Sequence, residues 1–367
     1  MSAIVSVDVI ATGPSMPDVR YTAALPSVFT TVTFVVITDE SGHVGVAALE
    51  SDSFGRFDLG PMEALRAMAP DLVGLNALAP SAVARLAASR LPTTSRRAPC
   101  AAIEVACWDL VAREADLSLY LLMGGARDEV PAYASLAYES DVQALLSVAG
   151  AAVAAGYRAA KIHVSGNPHE DVAHVGEVRR TFPELELMVD AEGAYDRRGA
   201  ALVGRALDEL EIRWLEAPLP DRDLDGYRSL SRSLHTPIIP AGGFITELSE
   251  LRTALGAQPW SAVRTQTLEG GISHVRDLAA LARAFGLDLE LISYGTTVTQ
   301  ATDLHLILGL GVGSYFEHPF PIEPWEFGTS TPITVDAGKV RAPAGAGLGM
   351  ELDMNAIDDA TLTRFST

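Results

Sequence analysis

From residue 130 onward, short apolar segments alternate with amphipathic helical segments, and this alternation most limits what the chain can form. Apolar strands joined by helical crossovers are typical of a parallel sheet. Eight such units predict an α/β fold with a (β/α)8-type barrel, because a doubly wound sheet usually has fewer units and no glycine-rich dinucleotide loop follows the first strand. The predicted strands are 130–137, 159–164, 186–191, 212–217, 236–241, 262–267, 287–293 and 314–319.

The first 125 residues have a different pattern. Segments 3–12 and 28–50 read as strands, the second with a turn at its Asp-Glu-Ser-Gly-His stretch, and 60–125 reads as helices. The glycine-rich tail is expected to pack back on this part. We therefore predict an α+β domain of residues 1–125 completed by 330–367, and a barrel domain of residues 126–329.

Composition narrows the function classes. A hydrophobic fraction of 48% allows a large core, and no apolar run reaches the length of a membrane span. The net charge of −20 argues against nucleic acid as a partner. Cys100 and Cys107 lie on one predicted helix, where a disulfide is not expected, so a cytoplasmic location is predicted. An anionic substrate would need a metal ion or well-placed cations.

Polar residues close the predicted strands at regular intervals. His163 and Asp190 are 27 positions apart, and Asp190 and Glu216 are 26 apart, which is one strand–helix unit each time. Glu317 closes the last strand, and Thr265 (or Gln266) closes the sixth. Because the chemistry of such barrels lies at the carboxyl ends of the strands, these side chains are expected around one rim.

Asp190 and Glu216 are expected on adjacent strand ends, where two carboxylates repel each other unless a cation lies between them. Hard oxygen ligands suit Mg²⁺. The alternative is that each carboxylate caps the following helix or pairs with an arginine.

Lys161 and His163 stand two residues apart in an apolar strand, so both side chains point to the same face. The chain has 25 arginines and only two lysines, Lys161 and Lys339. A lysine in a low-dielectric site or a histidine can accept a proton near neutral pH. The alternative is a buried lysine salt bridge beside a histidine that is satisfied in the core.

Taken together, these residues make the chain resemble the enolase superfamily, in its mandelate racemase and muconate lactonizing enzyme branch, over nearly its full length. The resemblance is carried by the segments GYRAAKIHV, VDAEGAY, WLEAPLP, EGGISHVRDLAALARAFGLDL and PAGAGLGMELD, and by the helix that begins CAAIEVACWDLVARE.

The resemblance implies an α+β capping domain over a modified (β/α)7β barrel. It implies abstraction of a proton α to a carboxylate, with Mg²⁺ stabilising the enolate. Lys161 matches the first lysine of the family's Lys-x-Lys strand. Asp190 and Glu216 match the first two metal ligands. Glu317 matches an acid that binds the substrate carboxylate by a hydrogen bond in racemase-like members.

The chain also departs from the family pattern. His163 replaces the second lysine, which is usually the base. The turn that usually supplies a third ligand contains Gly242 and Gly243, and Glu192 is the candidate to replace that ligand. Thr265 or Gln266 stands where the family has an acid or lysine, and Ile292 stands near its histidine position.

A second acid or base opposite His163 is therefore missing, apart from the candidates Tyr294 and Glu290. This favours a one-base reaction, and we predict a Mg²⁺-assisted dehydratase of a hydroxy acid or sugar acid. The alternatives are an isomerase (a racemase, epimerase or cycloisomerase) and a metal-poor or non-catalytic relative.

Substrate contacts are predicted from two loop-like segments, 14–27 and 50–58, through Arg20, Tyr21 and Arg56, with Trp325 at the border of the pocket. The expected partner is a small-molecule carboxylate, with no nucleic acid and no membrane. A homo-oligomer is expected because the family forms them.

Overall fold

The computed structural model describes residues 2–14, 29–90, 97–243 and 247–367. An antiparallel sheet of four strands forms the core of the N-terminal capping domain, in the order β13-β1-β2-β3. The strands are β1 Ile4–Thr12, β2 Phe29–Asp39, β3 Val44–Ser53 and β13 Thr361–Ser366.

Four helices lie between β3 and the barrel in the described sequence. The first two have a proline in their first turn, where its missing N–H costs nothing. Gly45 of β3 lies so close to the third helix that a Cβ there would come within 2.0 Å of the Ala106 carbonyl oxygen. A glycine is therefore needed where this strand packs on the helix. The helices are α1 Gly60–Leu72, α2 Pro80–Ala88, α3 Arg97–Glu114 and α4 Leu119–Leu122.

Eight strands and seven intervening helices follow, which is the (β/α)7β pattern, so the predicted fold class is confirmed. The strands are β4 Val130–Leu136, β5 Ala159–His163, β6 Glu186–Asp190, β7 Leu215–Glu216, β8 Ile238–Ile239, β9 Ala262–Thr265, β10 Asp288–Leu291 and β11 Phe316–Phe320. The helices between them are α5 Val142–Ala154, α6 Pro168–Thr181, α7 Arg197–Glu209, α8 Leu224–Ser233, α9 Leu248–Leu255, α10 Gly271–Ala284 and α11 Thr297–Leu310.

All pairings between these eight strands are parallel. Strands β11, β4, β5, β6, β7 and β8 follow one another in hydrogen-bonded order, and β9 pairs with β10. The Ser261 N–H donates to the Ile238 carbonyl and links β8 to the start of β9. The carboxyl ends of the strands therefore meet on one side of the barrel.

The inside of the barrel is filled by an apolar cluster of six buried side chains below those ends, with Tyr315 packed against it. Tyr133 and Trp214 contact each other edge to face, with ring centroids 5.8 Å apart. This floor keeps water from the bottom of the barrel, so charges above it interact strongly. The cluster comprises Tyr133, Ala159, Met188, Trp214, Ile239 and Ala262.

After the barrel, the chain returns to the capping domain. A short strand, β12 Lys339–Val340, pairs antiparallel with β4. Helix α12 Met354–Asp359 follows, and β13 then pairs antiparallel with β1. Among the described residues no helix has the length and apolar content needed to cross a bilayer. Cys100 and Cys107 are both free thiols.

A buried carboxyl group joins α11 to the turn after β9. Asp303 accepts hydrogen bonds from the backbone N–H and the hydroxyl of Thr267, while its Oδ2 is buried without a hydrogen-bond partner. Burial raises the pKa of Asp303 to about 7. The folded protein therefore keeps a proton here that the unfolded chain loses near the ordinary value of 3.8.

This carboxyl group should make stability fall as pH rises. Between about pH 4 and pH 7 the folded state binds the Asp303 proton and the unfolded state does not, so rising pH favours unfolding. Asparagine does not titrate. As the pH rises from about 5 to about 8, we expect the free energy of unfolding of Asp303→Asn to increase relative to that of the wild type by on the order of 2–3 kcal/mol. Urea unfolding at both pH values measures this, with exposed Asp225→Asn as the control. Parallel pH curves for wild type and Asp303→Asn would show that Asp303 is already ionised in the folded protein.

Candidate active site

Three predicted residues stand side by side at the carboxyl ends of neighbouring strands. In the strand register His163 of β5 is opposite Asp190 of β6, and Asp190 is opposite Glu216 of β7. All three are buried. Each strand ends at this residue, so the sequence intervals of 27 and 26 correspond to one level of the barrel rim.

Lys161 is two residues before His163 in β5, and its side chain extends toward the rim and lies among three carboxylates. Its Nζ is 2.8 Å from Glu317 Oε1, 3.1 Å from Asp190 Oδ2 and 3.1 Å from Glu216 Oε2. The Ser135 hydroxyl also donates to Glu317 Oε1, at 2.9 Å. The Lys161 side chain is 3% exposed, so these contacts are made away from water.

A second buried cation, Arg264 of β9, was not predicted from the sequence. Its Nε lies 2.9 Å from Glu216 Oε1 and its Nη2 lies 3.0 Å from Glu317 Oε2. The resemblance predicts Thr265 or Gln266 at this position. The available signal was the same one that singled out Lys161, a cation inside a buried strand, but arginine is common in this chain.

These pairings decide which groups can exchange protons. Burial alone would lower the pKa of Lys161, but the carboxylates of Glu216 and Glu317 outweigh it and hold that pKa well above its ordinary value. Burial would raise the pKa of Glu317, but Lys161 and Arg264 bring it down to about 2. Lys161 therefore stays protonated and Glu317 stays ionised near neutral pH.

Three further carboxyl groups, those of Asp190, Glu192 and Glu216, lie at the same rim, and two of them resist ionisation. Burial and the nearby charge of Asp190 raise the pKa of Glu192. Burial also raises the pKa of Glu216, by more than Arg264 lowers it. Asp190 is the exception, because Lys161 and His163 overcome its burial and hold its pKa below the usual range. A further positive charge at this rim would be stabilised.

The His163 ring has a defined orientation. Its Nδ1 lies 2.6 Å from the Leu136 carbonyl oxygen, which can only accept, so Nδ1 carries a proton. Nε2 lies 3.5 Å from Asp190 Oδ2 and 3.9 Å from Glu192 Oε1. Nε2 is therefore the atom that gains or loses a proton at the cavity, and an imidazolium there would face two carboxylates.

The described part of the turn after β8, residues 240–243, offers no side-chain metal ligand. A Cβ on Gly242 would lie 2.7 Å from the Cβ of Arg264, and the backbone there has φ +93°, so no side chain fits. Glu192 instead has a left-handed backbone (φ +49°) and its side chain, 41% exposed, borders the cavity beside Asp190.

The donor set fits a hard divalent cation. Oxygens of Asp190 and Glu192 and the Nε2 of His163 all lie within 4.8 Å of one another. Asp190 Oδ1 accepts only the Glu192 N–H among the described contacts, so it keeps a lone pair for a metal. Asp190 and Glu192 would hold Mg²⁺, which needs few protein ligands because it keeps several waters. Glu216 is next to them, but its oxygens bind Arg264 and Lys161, so it would have to release one of these cations to become a third ligand.

These side chains line a cavity of about 290 Å³, which we call the inner chamber. Tyr294 closes one side and packs edge to face on Trp325, with ring centroids 4.5 Å apart. The described lining residues are Ser135, Lys161, His163, Asp190, Glu192, Glu216, Ala241, Arg264, Gln266, Ile292, Tyr294 and Glu317.

Other predicted residues lie elsewhere. Thr265 is buried and is not among the lining residues, because strand alternation turns Arg264 and Gln266 inward instead. Glu290 accepts hydrogen bonds from Ser314, away from the chamber. Arg56 is exposed and does not line it. Arg20 and Tyr21 lie outside the described residues.

Two domain families match the chain. The mandelate racemase / muconate lactonizing enzyme N-terminal domain matches residues 9–124, and the enolase C-terminal domain-like family matches residues 144–356. A solved structure of a mandelate racemase/muconate lactonizing enzyme homologue from Pseudovibrio sp. is 29% identical, with a TM-score of 0.95, and covers 100% of this chain and 99% of that one.

Two curated relatives catalyse different reactions. The 3,6-anhydro-alpha-L-galactonate cycloisomerase of Streptomyces coelicolor is 31% identical over 70% of each chain. The L-talarate/galactarate dehydratase of Salmonella typhimurium is 29% identical over 61% of this chain and 53% of its own. A structure of that dehydratase, liganded with Mg and L-lyxarohydroxamate, has a TM-score of 0.89 at 23% identity and covers 100% of this chain and 94% of that one.

Proposed function

We propose a magnesium-assisted lyase activity for this chain, which belongs to the mandelate racemase and muconate lactonizing enzyme branch of the enolase superfamily. Its substrate would be a hydroxy acid or sugar acid that loses water after removal of the proton α to the carboxylate. The observation that carries the proposal is the orientation of His163, whose Nε2 faces the chamber while Lys161 is bound by three carboxylates.

His163 is the base in this proposal. The Leu136 carbonyl holds the proton on Nδ1, which leaves the Nε2 lone pair to take the α-proton. The imidazolium that forms is stabilised by Asp190, 3.5 Å away. It then returns the proton to the β-hydroxyl as the carbon–oxygen bond breaks, and water leaves with a carbon–carbon double bond formed.

Lys161 and Arg264 hold the carboxylates in place and do not take part in proton transfer. They fix Glu216 and Glu317 from two sides. In this proposal Glu317, which is ionised and also accepts a hydrogen bond from Ser135, positions Lys161 and Arg264 and does not donate to a substrate carboxylate. Mg²⁺ held by Asp190, Glu192 and Glu216 would supply positive charge for that carboxylate and for the charge that develops when the α-proton leaves.

The chamber favours a one-base reaction over racemisation. Inversion needs a proton donor and acceptor on opposite faces of the substrate. Across from His163, the described lining residues are Arg264, Gln266, Ile292 and Tyr294, without a carboxylate, histidine or free lysine. A cycloisomerisation needs only one base as well, and the relative from Streptomyces makes it the second candidate. Product analysis by mass separates the two, because only the dehydratase product loses water.

Magnesium binding tests the cation site without any substrate. We expect calorimetry to detect Mg²⁺ binding by the wild type, and Asp190→Asn, Glu216→Gln and Glu192→Gln each to weaken it at least about tenfold. Each substitution removes one anionic oxygen ligand. Glu114→Gln is the control, because Asp39, His43 and Glu114 form a second group at the surface that could hold a metal.

Each outcome bears on a different part of the proposal. Binding that survives in Glu192→Gln alone would remove Glu192 from the ligand set. Binding lost only in Glu114→Gln would move the ion to the surface group. An absence of binding in the wild type would contradict the magnesium-assisted reaction and favour a metal-free role.

A further inference from the structure

A second cavity of about 460 Å³, which we call the outer chamber, lies between the capping domain and the barrel. Gln266 lines both chambers, so the outer one begins where the inner one ends. The inner chamber alone is at the small end of ligand sites, which span about 300–1,000 Å³. The described lining residues of the outer chamber are Glu50, Gly60, Pro61, Arg97, Ala98, Pro99, Gln266, Leu268 and Glu269.

Two carboxylates dominate this outer chamber. Glu50 of the capping domain accepts hydrogen bonds from the backbone N–H of Thr296, at 2.7 Å, and from the hydroxyl of Thr299, at 2.8 Å. Glu269 accepts one from the side-chain amide of Gln266, at 3.2 Å. Both retain lone pairs, and carboxylates accept hydrogen bonds without donating them when ionised. A ligand in this chamber therefore needs hydrogen-bond donors.

Every permanent cation among the described lining residues already has a carboxylate partner. Lys161 binds Asp190, Glu216 and Glu317, and Arg264 binds the last two of these. In the outer chamber Arg97 pairs with Glu247 and donates to the backbone carbonyl of Glu269.

Among the described residues, a ligand's carboxylate therefore has one place to bind, at the Mg²⁺ that the acidic side chains of the inner chamber would hold. A second carboxylate in the outer chamber would meet Glu50 and Glu269, with no free cation among the lining residues that the structure describes, inside a protein whose net charge is −20. Like charges placed together in this way repel each other, so a ligand with a second carboxylate binds more weakly.

We propose that the substrate is a monocarboxylate with an uncharged, hydroxylated chain that extends past Gln266 into the outer chamber, and that Glu50 and Glu269 exclude diacids. The proposal rests on the proposed function for the end that carries the carboxylate. Hydroxyl groups supply the donors that the outer chamber needs, and they add no charge.

Binding of galactonate and galactarate tests this, because the two acids differ only in the second carboxylate. In saturating Mg²⁺, we expect calorimetry to show that the wild type binds galactonate at least roughly tenfold more tightly. Glu269→Gln should strengthen galactarate binding several-fold and leave galactonate within about twofold, because it removes a charge and keeps the shape. Exposed Glu184→Gln, which changes the net charge equally, should leave both affinities unchanged.

The proposal would be overturned if the wild type bound galactarate as tightly as galactonate or more tightly. It would also be overturned if the wild type bound neither acid. A third contrary result is that the difference in affinity between galactonate and galactarate shrinks as much in Glu184→Gln as in Glu269→Gln. That result would assign the effect to net charge and contradict the role of the chamber. Exchange of the α-proton in D₂O is measured separately on both acids. If galactonate binds preferentially but its α-proton does not exchange, the proposed lyase activity is refuted and the proposed substrate class stands. If the α-proton exchanges mainly on galactarate, the substrate class is refuted and the lyase activity stands.

Discussion

Replacing His163 with asparagine should slow α-proton exchange by about 10²- to 10⁴-fold, the range for loss of a general base. The asparagine amide can still donate to the Leu136 carbonyl, so the polar contact of the buried ring is kept. Asparagine has no group that accepts a proton near neutral pH. The measurement is loss of the α-proton signal by NMR in D₂O, on an acid that binds the wild type.

Two controls accompany this variant. Exposed His169→Asn should exchange at the wild-type rate, because His169 lies on the outside of α6. Thermal unfolding of His163→Asn should resemble that of the wild type, so that lost exchange is not lost folding. Full exchange activity in His163→Asn would exclude His163 as the base.

The second large effect is on stability. We expect Lys161→Met to lower the free energy of unfolding by about 3–5 kcal/mol near neutral pH, the usual cost of removing one partner from a buried ion pair. Methionine has a similar length and no charge. It would leave Asp190, Glu216 and Glu317 with only Arg264 to offset them. Urea unfolding followed by circular dichroism gives this value.

The only other lysine provides the matched control. Lys339 pairs with Glu129 at the surface, with half of its side chain exposed, so Lys339→Met should change stability little. Similar losses in the two variants would mean that the cluster around Lys161 is not a strongly coupled buried network. Glu317→Gln in the Lys161→Met background should restore part of the stability, since it removes one of the carboxylates that lost Lys161 as a partner.

Much of the fold follows from the sequence because its periods are regular. A strand–helix unit of about the same length recurs, so the spacing of polar residues after apolar segments located His163, Asp190 and Glu216 on adjacent strands. The two-residue period of a strand also placed Lys161 and His163 on one face.

Spacing could not decide which residue of β9 points inward. The segment 262–267 is buried at most positions, so burial alone does not separate Arg264 from Thr265. One step in register changes the inward residue from threonine to arginine. The carboxylates that select Arg264 come from β7 and β11, which lie far away in the sequence, so only the folded barrel shows the pairing.

The position of Glu192 was open for a similar reason. The sequence showed an acid two residues after Asp190, but its direction depends on a left-handed backbone that non-glycine residues seldom adopt. The tie between its N–H and Asp190 Oδ1 fixes that turn. Local propensity favours other conformations, so this feature comes from the packed loop.

The pairing of β13 with β1 has a consequence for how the chain is made. Asp8 and Ser366, joined by a hydrogen bond across these strands, are 358 positions apart. During synthesis β1 is made before the barrel and β13 after it. The edge of β1 that pairs with β13 therefore has no partner strand until the barrel has been synthesised. Exposed strand edges invite pairing with other chains. The strands of the barrel are therefore complete before the four-stranded sheet of the cap, and until β13 pairs, the edge of β1 is open to other chains.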